Sequence, residues 1–163
     1  MPDPRIRKGD PSRLSMRGIE LEVPLGWESR IRTAGQSEPQ GTQLPVLHAA
    51  TVPLPNKRAD YGGGVVETLE STDLFISLIE FGDEAVGSKL YEATDRIPRV
   101  TPGMFNPNQL QRRLPGQAGL QIFFTHRGRA FCLYVVIGSY SRRIELANKA
   151  NQLIGQLSIS PNP

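Results

Sequence analysis

The stretch with the clearest structural pattern spans residues 120–137 and reads LQIFFTHRGRAFCLYVVI. Residues 120–126 and Arg129–Ile137 are rich in aromatic and β-branched side chains, which favour strands. Arg127-Gly128 between them is a two-residue turn signal, because glycine tolerates the positive φ that a tight hairpin requires. The stretch therefore predicts an antiparallel hairpin.

The sequence after this hairpin changes from strand to helix periodicity. Ser141 is the expected N-cap of a helix that ends at Ile154. Gly155 suits the position just past the helix end, and Leu157–Ile159 can add a short last strand. Lys149 is expected to point outward. The residues expected to face the sheet are Ile144, Ala147, Leu153 and Ile154.

Four further strands are expected upstream of the hairpin. Residues 18–23 alternate apolar and charged side chains, and residues 27–32 follow a Pro-Leu-Gly turn as their expected hairpin partner. Residues 46–52 and Leu74–Phe81 are apolar on both faces and predict inner strands. Residues 82–119 contain several prolines and show no clear pattern beyond a short helix over residues 84–93.

These elements predict an α+β fold, in which a single antiparallel sheet of about five to seven strands carries the C-terminal helix. An α/β/α sandwich is the alternative arrangement. Residues 1–17 have no apolar period and are predicted to be a disordered or loosely packed basic arm. Residues 18–160 are predicted to form a single domain, because 163 residues suffice for one core.

Composition limits the environment and the chemistry. The basic N-terminus has no apolar stretch behind it, and no apolar run approaches the length of a bilayer span. A soluble, cytoplasmic protein without a membrane partner is therefore expected, in a cytoplasm of bacterial type. A chain without its native leader would show the same pattern. The single cysteine, Cys132, excludes a disulfide framework and a structural zinc cluster. Its place within a strand predicts a buried, unreactive thiol.

Charge is distributed unevenly along the chain. Residues 18–95 carry five basic and thirteen acidic groups, whereas residues 96–163 carry nine basic groups and one acidic residue, Glu145. The two parts either interleave in space and cancel, or form a dipole that steers a partner. Arg129 and Arg142-Arg143 should lie at opposite ends of one strand, which argues against a compact face for nucleic acid.

The sequence contains no recognisable catalytic or cofactor motif. The two histidines, His48 and His126, lack the spacing of metal ligands, so no metal and no cofactor are expected. The glycine run at residues 62–64 follows a proline-bounded loop and has no lysine after it. We interpret it as a flexible loop rather than a phosphate-binding loop.

Three segments carry a resemblance to a known group of proteins. They read VPLGW at residues 23–27, AFCLYVVIG at residues 130–138 and NQLIGQL at residues 151–157. Together they resemble the PsbP-like α/β/α sandwich group, which includes extrinsic subunits of photosystem II and a release factor for the small GTPase Ran. The resemblance implies a non-enzymatic adaptor or assembly domain, and it carries over no functional residue.

Two classes of function follow. The first is a non-catalytic binding or assembly module that engages a protein partner through its proline-rich middle segment, residues 96–115. Its oligomeric state is left open by the sequence. Its candidate partner-contact residues are Phe105, Arg112, Arg113, Arg142 and Arg143. The alternative is a small enzyme or ligand-binding domain, its site built from scattered residues around His48, Glu80 and His126. Nucleic-acid binding through the basic arm and the arginines is disfavoured.

Overall fold

The computed structural model describes residues 12–33 and 44–161, which contain eight strands and one α-helix. The elements follow the chain as β1 (Ser12–Met16), β2 (Ile19–Val23), β3 (Glu28–Thr33), β4 (Pro45–Ala50), β5 (Leu74–Phe81), β6 (Ala118–His126), β7 (Arg129–Ile137), α1 (Arg143–Ile154) and β8 (Leu157–Ile159). Single 3₁₀ turns lie at Val66–Thr68, Asp83–Ala85, Pro102–Met104 and Tyr140–Arg142.

All named strand pairs are antiparallel, and the strands divide between two sheets. The larger sheet has the order β3-β4-β5-β7-β6, and the smaller one has the order β1-β2-β8. The predicted α+β class, with the C-terminal helix packed on strands, is confirmed.

The predicted hairpin between β2 and β3 is wrong. The turn at Pro24–Gly26 instead carries the chain from the small sheet to the large one, and Gly26 adopts φ +85° there.

The N-terminal strand β1 was not expected from the sequence. It pairs with β2 over five residues, from Ser12 opposite Val23 to Met16 opposite Ile19. The end of the predicted arm is therefore part of the small sheet, whereas residues 1–11 lie outside the described residues. Periodicity missed this strand because its residues are mostly polar, as an edge strand with one solvated face can be.

One face of the large sheet packs against α1 and the small sheet. Strand β7 supplies Phe131, Leu133 and Val135 to this core, and Leu153 of α1 is fully buried in it. Trp27 is half-buried against the same core. Packing of one helix across a sheet in this way removes from water the apolar stripe that the sequence places on α1.

The other face of the large sheet holds a second, smaller core. Strands β5 and β7 contribute Phe75, Cys132 and Tyr134, which pack under Val65 and Val66. Partly buried residues from 52–69 and 110–114 complete the cover. Irregular segments and a 3₁₀ turn, rather than a second α-helix, cover this face in the part of the chain that the structure describes. Strand β7 is buried along its whole length because both of its faces are covered.

Details of α1 differ from the sequence prediction. Ser141 is not the N-cap, because a 3₁₀ turn precedes the helix and the Ser141 hydroxyl bonds that of Ser139. Ile144 is 68% exposed, whereas it was expected to face the sheet. Lys149 is half-buried, and its Nζ donates to the carbonyl oxygen of Thr72 at 3.3 Å. The buried residues of α1 form a stripe that Ile144 does not share, namely Leu146, Ala147, Ala150, Leu153 and Ile154.

Candidate functional site

The five residues predicted to contact a partner occupy three different settings. Phe105 is only 3% exposed and belongs to the core under α1, so its prediction as a contact residue is wrong. Arg142 pairs with Glu145 at 2.8 Å, and Arg143 stacks over the Tyr140 ring at 4.4 Å. Arg112 and Arg113 are exposed and lie on the side of the large sheet that faces away from α1.

The structure does not assemble the alternative site around His48, Glu80 and His126. His48 lies between two residues that face the α1 side, so it points to the other face, where its ring contacts Phe75 at 5.1 Å. Glu80 follows Leu78 by two residues and therefore faces the α1 side. The two side chains are separated by the sheet, so they cannot act together on one substrate.

Glu80 forms a buried ion pair with Arg129. Its two carboxylate oxygens accept hydrogen bonds from Nη2 and Nε of Arg129 at 2.6 and 3.0 Å, and both side chains are at most 4% exposed. The remaining Nη1 donates to the carbonyl oxygen of Ser160 at 3.0 Å. This arrangement connects β5, β7 and the residue after β8, and it uses both oxygens of Glu80.

His48 is held in a hydrogen-bond network below the glycine run. Nε of Arg58 donates to Nδ1 of His48 at 2.8 Å, so Nδ1 is unprotonated and Nε2 donates to the carbonyl oxygen of Asp60 at 2.9 Å. The Ser77 hydroxyl donates to the same oxygen at 2.7 Å. Burial is the main cause that lowers the pKa of His48 to about 4. The neutral imidazole therefore positions the loop at Asp60.

The glycine run forms an ordered turn rather than a flexible loop. Gly62 and Gly64 adopt φ +89° and +97°, a region that favours glycine. The amide of Gly62 donates to the carbonyl oxygen of Ala59, and the amide of Ala59 donates to that of Gly63, both at 2.9 Å. A Cβ on Gly62 would lie 2.7 Å from the Phe75 ring. The run therefore allows the loop to sit directly on the sheet.

A half-open pocket of about 150 Å³ lies between this glycine turn and the segment around Leu110. Its floor consists of buried side chains, namely Val66, Tyr134 and Val136. Its walls and rim are formed by Ala59, Tyr61, Gly63, Leu110, Gln111 and Arg112. The pocket is mainly apolar, and Arg112 brings the one charged side chain among its lining residues.

Two tyrosines give the pocket a defined shape. The rings of Tyr61 and Tyr134 meet edge to face with centroids 5.3 Å apart. The Tyr134 hydroxyl accepts a hydrogen bond from the amide of Gln111 at 2.9 Å, which fixes the segment beside Leu110. Because both walls are hydrogen-bonded, the pocket is largely preformed.

Cys132 lies beneath this face, and its predicted burial is confirmed. Burial raises the pKa of its thiol to about 12, although a hydrogen bond from Tyr61 opposes the shift. A thiol with such a pKa is a poor nucleophile at neutral pH. Cys132 therefore contributes packing to the pocket region rather than covalent chemistry.

Sequence reasoning found Arg112 but missed the tyrosines and Leu110. Tyr61 precedes the glycine run, and this adjacency was the available signal in the sequence. Among the described residues, no group of three or more His, Cys, Asp or Glu side chains is arranged to hold a metal ion. No helix within residues 12–33 and 44–161 combines the length and apolarity needed to cross a membrane.

Comparisons with models of known protein families, with curated proteins and with solved structures find no match to this chain. The resemblance to the PsbP-like group stays a prediction.

Proposed function

We propose that this chain is a binding module for a protein partner, and that the apolar pocket receives one apolar side chain of that partner. The observation that carries the proposal is the half-open pocket with a buried apolar floor and Arg112 at its rim. Preformed pockets that accept an anchoring side chain are typical of the energetically dominant contacts in protein interfaces.

The volume of the pocket sets the size of the anchor. An apolar cavity of about 150 Å³ holds a molecule the size of benzene. The pocket has the same volume, about 150 Å³. It therefore suits a leucine, isoleucine or phenylalanine side chain.

Arg112 sets the chemistry beside the anchor. Its side chain belongs to an exposed residue and forms no ion pair within the described part of the chain. A guanidinium at the edge of an apolar pocket favours a carboxylate on the partner. We therefore expect a partner segment in which an apolar residue is close to an aspartate, a glutamate or a C-terminal carboxylate.

The wall that carries Arg112 belongs to the middle segment of the chain, residues 96–115, for which the sequence predicts contact with a partner. The resemblance to the PsbP-like group implies the same class of function. A bacterial, cytoplasmic setting is part of the proposal and is tested separately, by locating the native protein in fractionated cells.

The test is a selection of peptides displayed on phage against the immobilised protein. Two Ala→Leu variants, which add the same side-chain volume at different places, are compared with the native protein. Ala59→Leu fills the pocket from its exposed rim, and Ala93→Leu places the same side chain on an exposed position outside the pocket. We expect the selected peptides to share one apolar residue near an acidic group, and to bind Ala59→Leu at least about tenfold more weakly than the native protein.

The control decides between pocket binding and unspecific adhesion. Ala93→Leu should bind the selected peptides as tightly as the native protein does. Arg112→Gln should weaken the binding of peptides that have a carboxylate more than the binding of their amide analogues. Peptides without a common anchor, or equal binding by Ala59→Leu and Ala93→Leu, would contradict the proposal.

A further inference from the structure

A second, polar cleft of about 240 Å³ lies on the α1 side of the large sheet, away from the apolar pocket. It is bounded by the segment around Arg96, by the β6–β7 turn and by the chain between α1 and β8. The polar side chains that line it are Asp95, Arg96, Arg99, His126, Arg127 and Ser158. The cleft thus gathers three arginines of the basic C-terminal part of the chain.

Arg99 is held in place at the end of α1. Its Nη1 donates at 2.8 Å to the carbonyl oxygen of Asn151 in the last helical turn, and this oxygen also accepts from the amide of Gly155 at 2.9 Å. Gly155 has φ −64°, which any residue adopts, so its backbone does not require glycine. A Cβ there, however, would lie 3.1 Å from Nη1 of Arg99. Gly155 therefore provides the space for the guanidinium.

His126 and Arg127 are fixed at the hairpin turn. Nδ1 of His126 lies 3.1 Å from the carbonyl oxygen of Thr94, which can only accept, so Nδ1 carries the hydrogen. Arg127 lies in the β6–β7 turn with φ +56°, and its side chain is exposed. Both residues contribute to the lining of the cleft, opposite the end of α1.

The side chains that line the cleft carry more positive than negative charge. Arg96, Arg99 and Arg127 form no ion pair with any residue of the described ranges, and Asp95 is the only acidic residue in the lining. Three guanidinium groups against one carboxylate leave two positive charges. Guanidinium groups match the geometry of phosphate oxygens, and a phosphate monoester carries a charge of about −1.5 to −2 at neutral pH.

We propose that this cleft binds the phosphate monoester group of a small molecule. The lining contains no Phe, Tyr or Trp on which a nucleic-acid base would stack, which favours a small ligand over a nucleic acid. Arg99, held by the carbonyl oxygen of Asn151, provides one fixed guanidinium, and Arg96 and Arg127 provide the other two in the lining. The inference is independent of the apolar pocket, because the two sites lie on opposite faces of the large sheet.

The experiment is a titration of the ¹⁵N-labelled protein with inorganic phosphate and, separately, with glycerol 3-phosphate, followed by amide chemical shifts. We expect saturable shifts that concentrate at residues 95–99, 126–128 and 155–158. Tighter binding of glycerol 3-phosphate would support an organic monoester as the ligand class, and tighter binding of inorganic phosphate would contradict the monoester and leave the free anion as the ligand. Equal affinities would assign recognition to the phosphate group alone.

Matched variants separate a defined site from general attraction by a basic protein. Arg127→Asn removes the charge and keeps a residue that tolerates positive φ, and it should weaken binding about tenfold. Asp95→Asn should strengthen binding. Arg113→Gln removes one positive charge from the other side of the sheet and should change the affinity less than twofold. Equal weakening by Arg127→Asn and Arg113→Gln, or no saturable shifts with either probe, would overturn the proposal.

Discussion

Replacing Glu80 by leucine tests whether the buried ion pair with Arg129 is structural. The substitution removes two of the three hydrogen bonds that the Arg129 guanidinium makes and leaves its charge at 1% exposure. Removal of one partner from a buried pair typically costs about 3–5 kcal/mol, because the remaining charge is uncompensated. Since a domain's total stability is about 5–15 kcal/mol, Glu80→Leu should shift the urea midpoint strongly.

The double variant Glu80→Leu/Arg129→Met shows that the cost comes from the unpaired charge. It removes both charges, and it loses mainly the bond to Ser160, a residue that is exposed and can bond water instead. Such a bond contributes about 0.5–1.5 kcal/mol, so the double variant should be more stable than the single one. The exposed pair Arg142–Glu145 is the control, and Glu145→Leu should cost less than about 1 kcal/mol. A Glu80→Leu midpoint equal to that of Glu145→Leu would show that the buried pair adds no more stability than an exposed one.

Three further predictions concern stability. The unfolded state binds a proton on His48 more readily than the native state between pH 6.5 and about 4. His48 should therefore cost about 2 kcal/mol of stability as the pH falls from 7 to 5, and denaturant melts of His48→Gln should lack this part of the pH dependence. A Cβ on Gly138 would collide with the backbone carbonyl of Glu70, in the loop before β5, whereas one on Gly103 would meet no atom within 4 Å. Gly138→Ala should cost about 3 kcal/mol or more, and thermal melts should find Gly103→Ala close to the native protein. Leu153→Ala should cost about 2–5 kcal/mol because Leu153 is fully buried, whereas Asn148→Ala, at an exposed helical position, should stay within about 0.5 kcal/mol in the same urea series.

Most of the large sheet could be predicted from the sequence because its strands have strong local signals. Residues 130–137 are apolar or aromatic, and the structure buries the whole strand Arg129–Ile137 on both faces. The division into two sheets was not predictable from the same pattern. The alternation in β2 specifies one buried face, but it does not specify whether that face meets β3 or the pair β1 and β8.

The candidate pocket was less accessible to sequence reasoning, because its walls come from distant parts of the chain. Tyr61, Leu110 and Tyr134 are distant in the sequence and come together only in the folded chain. The arginines were identified by composition alone, and composition does not distinguish Arg112, at a pocket rim, from Arg142, which is paired with Glu145. Phe105 illustrates the same limit, since an aromatic residue in a proline-rich segment can cover a core as readily as a partner.

The most direct test of the binding proposal uses a neutral probe of the expected anchor, N-acetyl-leucine methylamide, titrated into the ¹⁵N-labelled protein. Because this probe carries no charge, it is not attracted electrostatically to the arginines of the polar cleft. We expect saturable amide shifts at Gly62, Gly63 and Gln111 that disappear in Ala59→Leu and persist in Ala93→Leu. Shifts that spread over the surface, or that survive in Ala59→Leu, would contradict the claim that the pocket receives an apolar side chain.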